Sequence, residues 1–493
     1  MPLFDRNTSA LMLIAGLFAA LSGHLILISP FSTCILIIGF AVFIRAISLT
    51  NTIKHAFLVG STFGTGFIFG SLFWLSDVLS LLSTPEQLLG GAILSCFALI
   101  AVLPFILTSL TIILLRKYLS LHALVLFPVI LILSQSLFHE GVLNFPWFLY
   151  GHWLALSPFD TVQASLGSKW SGILILNIAV CLSSVSYKPP HKGLYNELAK
   201  LFPTLICTVL CVSLYIKKIP VGASQELSVE LVQFDHPVIE DRQFDDLEIL
   251  AKYVLASNAS SADIVIWPES VIRQGSSVVE PLANLLGTDH KVILAGALFE
   301  QEGVKQNVLM DIKRNHILYV KRKLIPFSEY LPHPFFKALF STFQTSTLKS
   351  TIQAGNAKQA PINVRGISMS PLICYEALFS ELVDPSAQLI LNLGNESWFQ
   401  SPITSNMMLS INISRAIEHD IPLLRISDQG LSGFFDPAKH SFFKAKNNSS
   451  QQFKLTIPVH KKIPSQYSMN LIIGLIQLLL SCLVTLLAIT RDN

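Results

Sequence analysis

Leu372-Ile373-Cys374-Tyr375-Glu376 closes a strand-like run that begins at Ile367. It carries the one cysteine of seven that lies outside the apolar stretches; Cys34, Cys96, Cys181, Cys207, Cys211 and Cys482 all fall inside them. A thiol alone in a water-facing segment has no disulfide partner there, which points to its own chemistry. Burial as a small hydrophobe is the commoner role of a free cysteine, and stays open on this residue alone.

Outward from that run, residues 224–464 have ordinary charge density and no long apolar stretch. The rest of the chain does not share this. Of 493 residues, 52% are hydrophobic and 13% charged, against roughly 25% charged in a soluble domain. A membrane-spanning helix needs about 20 mostly apolar residues. Eight stretches approach this: 11–29, 31–48, 56–75, 88–115, 120–138, 171–187, 201–215 and 469–489, the second and seventh being short or interrupted. The expected architecture is an α-helical membrane bundle of eight spans with one globular α/β domain inserted. Its parts are residues 1–220 (seven helices), the domain at 224–464, and a last helix within 465–493. The first apolar run reads as a retained helix, because no small-residue cleavage site follows it.

Lysine and arginine in the short loops give the orientation. With the N-terminus inside, the cytoplasmic side collects Arg6, Arg45, Lys54, Arg116, Lys117, Lys188, Lys192, Lys200 and Arg491. The opposite loops hold Lys169 beside Asp77, Glu86, Glu140 and Asp160. The domain is therefore expected on the far side of the membrane. Lys217 and Lys218 run against this, but long translocated domains tolerate such charges. A net charge of +3 with no basic-aromatic array gives no reason to expect nucleic acid. A long outer loop, 139–170, contains Phe145-Pro146-Trp147-Phe148-Leu149-Tyr150-Gly151-His152-Trp153. By composition its rings read as an interfacial aromatic belt.

Within the domain, strands are expected at 228–234, 263–266, 292–298, 306–311, 316–320, 367–373, 388–392 and 422–426. Helical spacing covers 241–257 and 407–419. Three chemistry-bearing residues follow strands: Glu269 after Trp267-Pro268, Lys321 after Leu318-Tyr319-Val320, and Cys374. Strand ends on one sheet edge are where α/β sites form. A carboxylate can take a thiol proton and an ammonium can hold a developing oxyanion. Read singly, Glu269 also fits a surface charge, and Lys321-Arg322-Lys323 a solvated basic run.

Trp-Pro-Glu at 267–269, Tyr-x-Lys-x-x-Leu-x-Pro-Phe-x-Glu at 319–329 and Cys-Tyr-Glu at 374–376 resemble the nitrilase superfamily, in its order Glu, Lys, Cys. With this topology and the Phe145-Pro146-Trp147 loop, the whole chain resembles the apolipoprotein N-acyltransferase family. The resemblance implies an α-β-β-α sandwich domain, with Cys374 as nucleophile, Glu269 as base and Lys321 as oxyanion-stabilising lysine. It also implies supporting or substrate-binding roles for Glu329, Tyr375, Glu376, Asn307 and Trp398, and no metal or cofactor. The implied substrates are a phospholipid acyl donor and an apolipoprotein bearing an N-terminal diacylglyceryl-cysteine. The implied setting is the bacterial inner membrane, the domain on the periplasmic side, acting as a monomer. The sequence departs from the family in three places. No tryptophan occurs between Phe234 and Asp246, the domain opens Leu231-Val232-Gln233-Phe234-Asp235, and Ser427-Asp428-Gln429-Gly430 replaces a loop that more often has asparagine before the glycine.

A lipid donor also gives a bilayer a purpose. At about 0.8 kcal/mol per methylene, drawing a C16 chain into water costs on the order of 10 kcal/mol. Phe335, Phe336, Leu339, Phe340 and Phe343 recur at helical spacing within 331–343, fitting either an interfacial arm or a face packed into the domain core. Two other readings share some of these features. A membrane-tethered nitrilase-type amidase would use the same three residues on small amides. A transporter with a degenerate binding domain would want ionisable groups inside its spans, where His24 and Arg45 are the chief ones.

Overall fold

The computed structural model describes residues 6–25, 31–80, 84–137, 145–157, 159–185, 225–234, 243–273, 275–287, 290–331, 352–399, 402–439, 441–444 and 451–459. The expected spans at 201–215 and 469–489, the domain boundaries near 220 and 464, the loop at 235–242 and nearly all of the aromatic arm at 331–343 lie outside them. The chain divides into two units. One is Met1–Ser76, Leu88–Lys218 and Gln466–Asn493, the other Asp77–Gln87 and Ile219–Ser465.

Among the described residues, seven α-helices precede the sheets: α1 (Arg6–Leu21), α2 (Ser32–Leu49), α3 (Ile53–Leu72), α4 (Leu75–Ser80), α5 (Thr84–Leu119), α6 (Phe127–Ser136) and α7 (Asp160–Val185). Among the described residues, Ser32–Leu49, Gln87–Leu119 and Leu166–Ser183 are long and apolar enough to cross a membrane. The expected spans differ in detail. The run at 120–138 is a 3-10 turn, Ser120–Leu126, followed by the ten-residue α6 with a proline in its first turn. Proline lacks the N–H that a continuing helix needs, so the helix starts afresh there. Helix α7 begins at Asp160, ahead of the expected 171, and is broken at Gly167 (φ 72°).

The aromatic belt is corrected. Trp147, Phe148, Tyr150 and Trp153 are all buried within the helical unit. Trp153 Nε1 donates to Ser22 Oγ (2.9 Å), Gln135 Nε2 donates to the Tyr150 hydroxyl (2.5 Å), and the Tyr150 ring meets Phe40 edge-on at 4.9 Å. The Trp153 indole and the Tyr150 hydroxyl find their partners inside, so these two rings need no water interface.

The second unit is built on two six-stranded sheets. The first has the order β12-β1-β2-β3-β4-β5 and the second β11-β10-β9-β8-β7-β6. The strands are β1 (Gln225–Gln233), β2 (Ile264–Ile266), β3 (Val292–Gln301), β4 (Val304–Asp311), β5 (His316–Val320), β6 (Ile362–Val364), β7 (Ile367–Ile373), β8 (Leu389–Asn395), β9 (Leu423–Asp428), β10 (Gly433–Asp436), β11 (Ser441–Lys444) and β12 (Gln451–Val459). The order of pairing carries parallel steps, β1–β2–β3 in one sheet and β7–β8–β9 in the other. Such steps require crossovers, and helices α8 (Gln243–Ala259) and α10 (Pro402–His419) lie in two of them. A shorter helix, α9 (Val279–Leu285), precedes β3.

Side chains alternate across each strand. Val229, Leu231, Ile264, Ile266 and Leu294 pack with Met369, Ile373, Leu389, Leu391, Leu393, Leu424 and Ile426 in a core between the sheets. Val265, Trp267, Ile293 and Ala295 turn the other way, onto Leu250, Tyr253 and Val254 of α8. Helix α10 packs on β9 and β10. The layers are therefore helix, sheet, sheet, helix.

Strands β3 and β8 run three residues past their expected ends. The β3–β4 hairpin closes on Glu302 (φ 53°) and Gly303 (φ 78°), two left-handed positions that suit the twist of a tight hairpin. Pro371 sits inside β7, beyond Met369 where pairing with β6 ends, so the N–H it lacks is not needed on that side.

Candidate active site

Glu269 is placed by the end of β2. Trp267 is fully buried; its N–H donates to the Leu294 carbonyl (2.8 Å) and its indole to Ser257 Oγ (3.0 Å). Pro268 then ends the strand, its carbonyl accepting from the Gly296 N–H (3.1 Å). A Cβ on Gly296 would stand 2.5 Å from Glu269 Cα and from the Pro268 carbonyl. Only glycine lets β3 approach this turn so closely.

Lys321 follows β5 directly, and its N–H donates to the Asn307 carbonyl on β4 (2.8 Å). Its side chain is fully buried between two carboxylates, Nζ lying 2.8 Å from Glu329 Oε1 and 3.2 Å from Glu269 Oε1. Asn307 Nδ2 donates to the same two oxygens, at 2.8 Å to Glu269 and 3.3 Å to Glu329. One ammonium and one amide thus clamp both glutamates. The turn that supplies Glu329 is fixed by Ile325, whose N–H donates to Oε2 (2.8 Å) and whose carbonyl accepts the Glu329 N–H (2.9 Å). Among the described residues both bonds to Glu269 land on Oε1.

Cys374 is the first residue beyond β7, in a left-handed conformation (φ 49°) uncommon outside glycine. This turns β7 into the 3-10 segment Cys374–Leu378. Glu376 holds the turn. Its Oε2 accepts the Ile373 N–H (2.8 Å), and its Oε1 accepts the N–H groups of Arg322 (2.7 Å) and Lys323 (3.2 Å). The Tyr319 hydroxyl lies 2.9 Å from both oxygens. Glu376 therefore ties the turn bearing Cys374, on one sheet, to the segment bearing Lys321, on the other.

The electrostatics follow from this packing. Burial pushes the Cys374 thiol well above its ordinary range; Glu269 and Glu329 add to the effect, while Lys321 and a hydrogen bond from the Asn395 N–H oppose it. For Lys321 burial acts downward, but Glu269, Glu329 and Cys374 outweigh it and hold the ammonium well above the usual lysine value. Burial raises Glu376, against the backbone N–H groups that favour its charged form. The Tyr375 phenol is likewise raised by burial. With the thiol neutral, one ammonium and two carboxylates leave the cluster at net −1. A thiolate adds a further negative charge unless its proton stays on a neighbouring carboxylate.

Of the residues expected from the sequence, Glu269, Asn307, Lys321 and Glu329 are in direct contact, and Cys374 couples electrostatically to three of them. Glu376 sits behind Cys374 as a brace. Tyr375 is buried with its ring edge-on to Phe379 (5.3 Å). Trp398, on the loop after β8, is the one member with a substantially exposed side chain (41%). Three contributors carry weaker signals. The Asn395 donor is a backbone N–H, which no residue type announces. Tyr319 and Arg322 lie in the lysine motif, but nothing in their spacing shows that Arg322 Nε donates to the Tyr319 hydroxyl (2.8 Å) to hold it on Glu376.

Residues 229–447, which contain all of these groups, match the carbon-nitrogen hydrolase family. Among solved structures, an amidase from Nesterenkonia sp. is similar at 16% identity with a TM-score of 0.35, covering 49% of this chain and 94% of that one. The chain is similar over 437 residues to the apolipoprotein N-acyltransferase of Rickettsia typhi, at 24% identity, covering 83% of this chain and 84% of the relative. The enzyme of that name from Haemophilus influenzae matches at 26% identity over 430 residues, covering 80% and 79%. Coverage of this extent exceeds what the paired-sheet unit alone could supply, so the likeness includes the helical unit. The chain belongs to the apolipoprotein N-acyltransferase family, within the nitrilase superfamily of carbon-nitrogen hydrolases.

Proposed function

We propose that the protein transfers an acyl chain from a phospholipid to the α-amine of an N-terminal diacylglyceryl-cysteine on an apolipoprotein, through a thioester on Cys374. The observation that carries this reading is the buried Lys321 bonded to both Glu269 and Glu329 at strand ends that converge on Cys374.

Glu269 Oε2 takes the thiol proton as Sγ attacks the ester carbonyl carbon. The developing oxyanion is stabilised by Lys321 and by backbone N–H groups near Cys374. When the tetrahedral adduct collapses, the ester C–O bond breaks, Glu269 returns the proton to the glycerol oxygen, and lysophospholipid leaves. The lipoprotein amine then attacks the thioester carbonyl and gives a proton to Glu269. The C–S bond breaks, the amide forms, and the sulfur recovers the proton. Lys321 keeps its charge throughout, held as an ammonium by Glu329 and by Glu269 or, while Glu269 carries the proton, the oxyanion.

The remaining assignments belong to the same reading. Eight spans would hold residues 1–220 and 465–493 in the bacterial inner membrane, with residues 224–464 on the periplasmic side, in a protein that acts as a monomer. The three long apolar helices support the membrane setting. The test is to incubate purified protein with phospholipid and look by mass spectrometry for an acyl adduct on Cys374, absent from Cys374→Ser. Turnover of small amides with no adduct from any lipid would replace this reading with an amidase.

A further inference from the structure

On β8, Leu389, Leu391 and Leu393 face the core between the sheets, which turns Asn392 and Gly394 to the opposite face, with Glu396 just past the strand end. There, behind Cys374, lies a buried ion pair for which the proposed mechanism has no task. Arg425 of β9 is fully buried and Glu396 nearly so. The guanidinium donates to the Asn392 side-chain oxygen, to Glu396 Oε1 and to the Leu431 carbonyl (3.1 Å). It reaches from Asn392 to Glu396 across Gly394, where a Cβ would stand 3.4 Å from Arg425 Nη2 and 2.7 Å from Ser427 Oγ. Gly430 makes room in the same way, its hypothetical Cβ lying 2.5 Å from Glu396 Oε2.

This pair acts on the end of β8. Glu396 donates its N–H to the Asp428 carbonyl (2.8 Å), and Asn395 pairs with Asp428 across the ladder. Asn395 Oδ1 accepts from the N–H (3.1 Å) and hydroxyl (2.6 Å) of Ser397. With the Glu396 N–H turned to β9, the Asn395 N–H turns to β7, where Leu393 pairs with Ile373, and so faces the Cys374 that follows; its effect on the thiol is that of a backbone hydrogen bond. A buried ion pair is a poor source of stability, because desolvation offsets its attraction and apolar side chains of the same volume often serve as well. Its distinctive product is fixed geometry, since a planar guanidinium sets three acceptors at defined angles.

We infer that Glu396 and Arg425 are positioning residues, which lock the end of β8 so that the Asn395 N–H stays on the sulfur of Cys374. That bond acts beside Lys321 to favour the anion against burial and two carboxylates. The inference rests on Cys374 being the nucleophile.

The test uses full-length protein in phospholipid-containing detergent micelles, comparing wild type with Arg425→Lys and Gly430→Ala. Lysine keeps the charge but cannot serve all three acceptors, and the alanine methyl presses on the Glu396 carboxylate. The readouts are the rate of Cys374 alkylation by iodoacetamide against pH, and kcat and KM for acyl transfer. Losing the N–H bond is expected to raise the apparent thiol pKa by about one unit, so alkylation slows about tenfold at each pH below it. The expected kinetic result is a kcat that falls by a similar factor with KM for lipid and acceptor unchanged. If Arg425→Lys fails to fold, Gly430→Ala carries the comparison. Alkylation profiles that superimpose on wild type, in protein whose wild type forms the acyl adduct, overturn the inference. A wild type that never forms the adduct overturns the nucleophile reading instead.

Discussion

Glu329→Gln is the substitution on which the charge argument can be tried most sharply, because it should move two rates in opposite directions. Lys321 gives Glu329 its shorter bond, 2.8 Å against 3.2 Å to Glu269. The amide can satisfy the Ile325 N–H only with its oxygen, which aims its NH2 group at Lys321 and Asn307, both donors. Lys321 must then bond to Glu269 alone, and the cluster goes from net −1 to neutral. Nearby carboxylates shift a pKa by about one to three units. Glu329 acts on the thiol less than Glu269 does, which puts the expected drop near one unit. Alkylation of Cys374 by iodoacetamide should therefore run about tenfold faster at fixed pH. Acylation by phospholipid should slow by about 10²-fold, because a Glu269 that holds Lys321 alone is a weaker base, and general base catalysis is worth about 10²–10⁴. Both rates are measurable on one preparation, by quenched alkylation and by mass spectrometry of the adduct. If alkylation slows along with acylation, the net-charge account of this site is wrong.

Three other outcomes follow from the same contacts. Tyr319→Phe removes the hydroxyl shared by Glu376 and Arg322, and should destabilise the protein by about 1–2 kcal/mol, read as a lower thermal unfolding midpoint, while slowing acylation severalfold. Gly296→Ala drives a methyl to 2.5 Å from Glu269 Cα; overpacking of about 1–3 kcal/mol and a displaced Glu269 should cut acylation far more than substrate binding, measured as kcat against KM. Alkaline pH should destabilise the fold in two stages. Cys374 and Lys321 both have raised folded-state values, so the native state keeps protons that the unfolded chain releases. Their contribution is complete below the unfolded values, about 8.5 for the thiol and 10.4 for the ammonium, and is lost as pH climbs toward the folded ones. Unfolding curves from pH 7 to 11 should show the first loss in wild type and not in Cys374→Ala.

The sequence disclosed most about the residues whose roles depend on position along a strand. Trp267-Pro268 forces β2 to stop, so Glu269 had to sit at a strand end; Lys321 and Cys374 were legible for the same reason. The clamp by Asn307 and Glu329 came from resemblance, because no local pattern says that residues 22 apart share two oxygens. Strand β12 went unread although Phe453, Leu455 and Ile457 alternate with Lys454 and Thr456, since the polar stretch before it reads as loop. Arg425 gave a usable signal that went unused. A charge in Leu423-Leu424-Arg425-Ile426 is out of place in a buried strand and asks for a partner. The partner, Glu396, follows the end of the neighbouring parallel strand, a contact that only the crossover through α10 creates.

The same balance of charge bears on what the site does between turnovers. A thiolate is the form that nucleophiles, oxidants and metals engage. Here burial and two carboxylates keep the sulfur protonated, opposed only in part by Lys321 and one backbone N–H. A reactive anion standing idle is thereby avoided. In the proposed mechanism the proton leaves within the step that forms the bond to carbon, when the oxyanion gives Lys321 a second negative partner and Glu269 is neutralised by the proton it accepts. An acyl donor whose carbonyl cannot reach Lys321 gains no such compensation. On that mechanism, reactivity at Cys374 is conditional on a correctly seated ester, and a lysine shared by two glutamates supplies that condition better than one paired with a single acid.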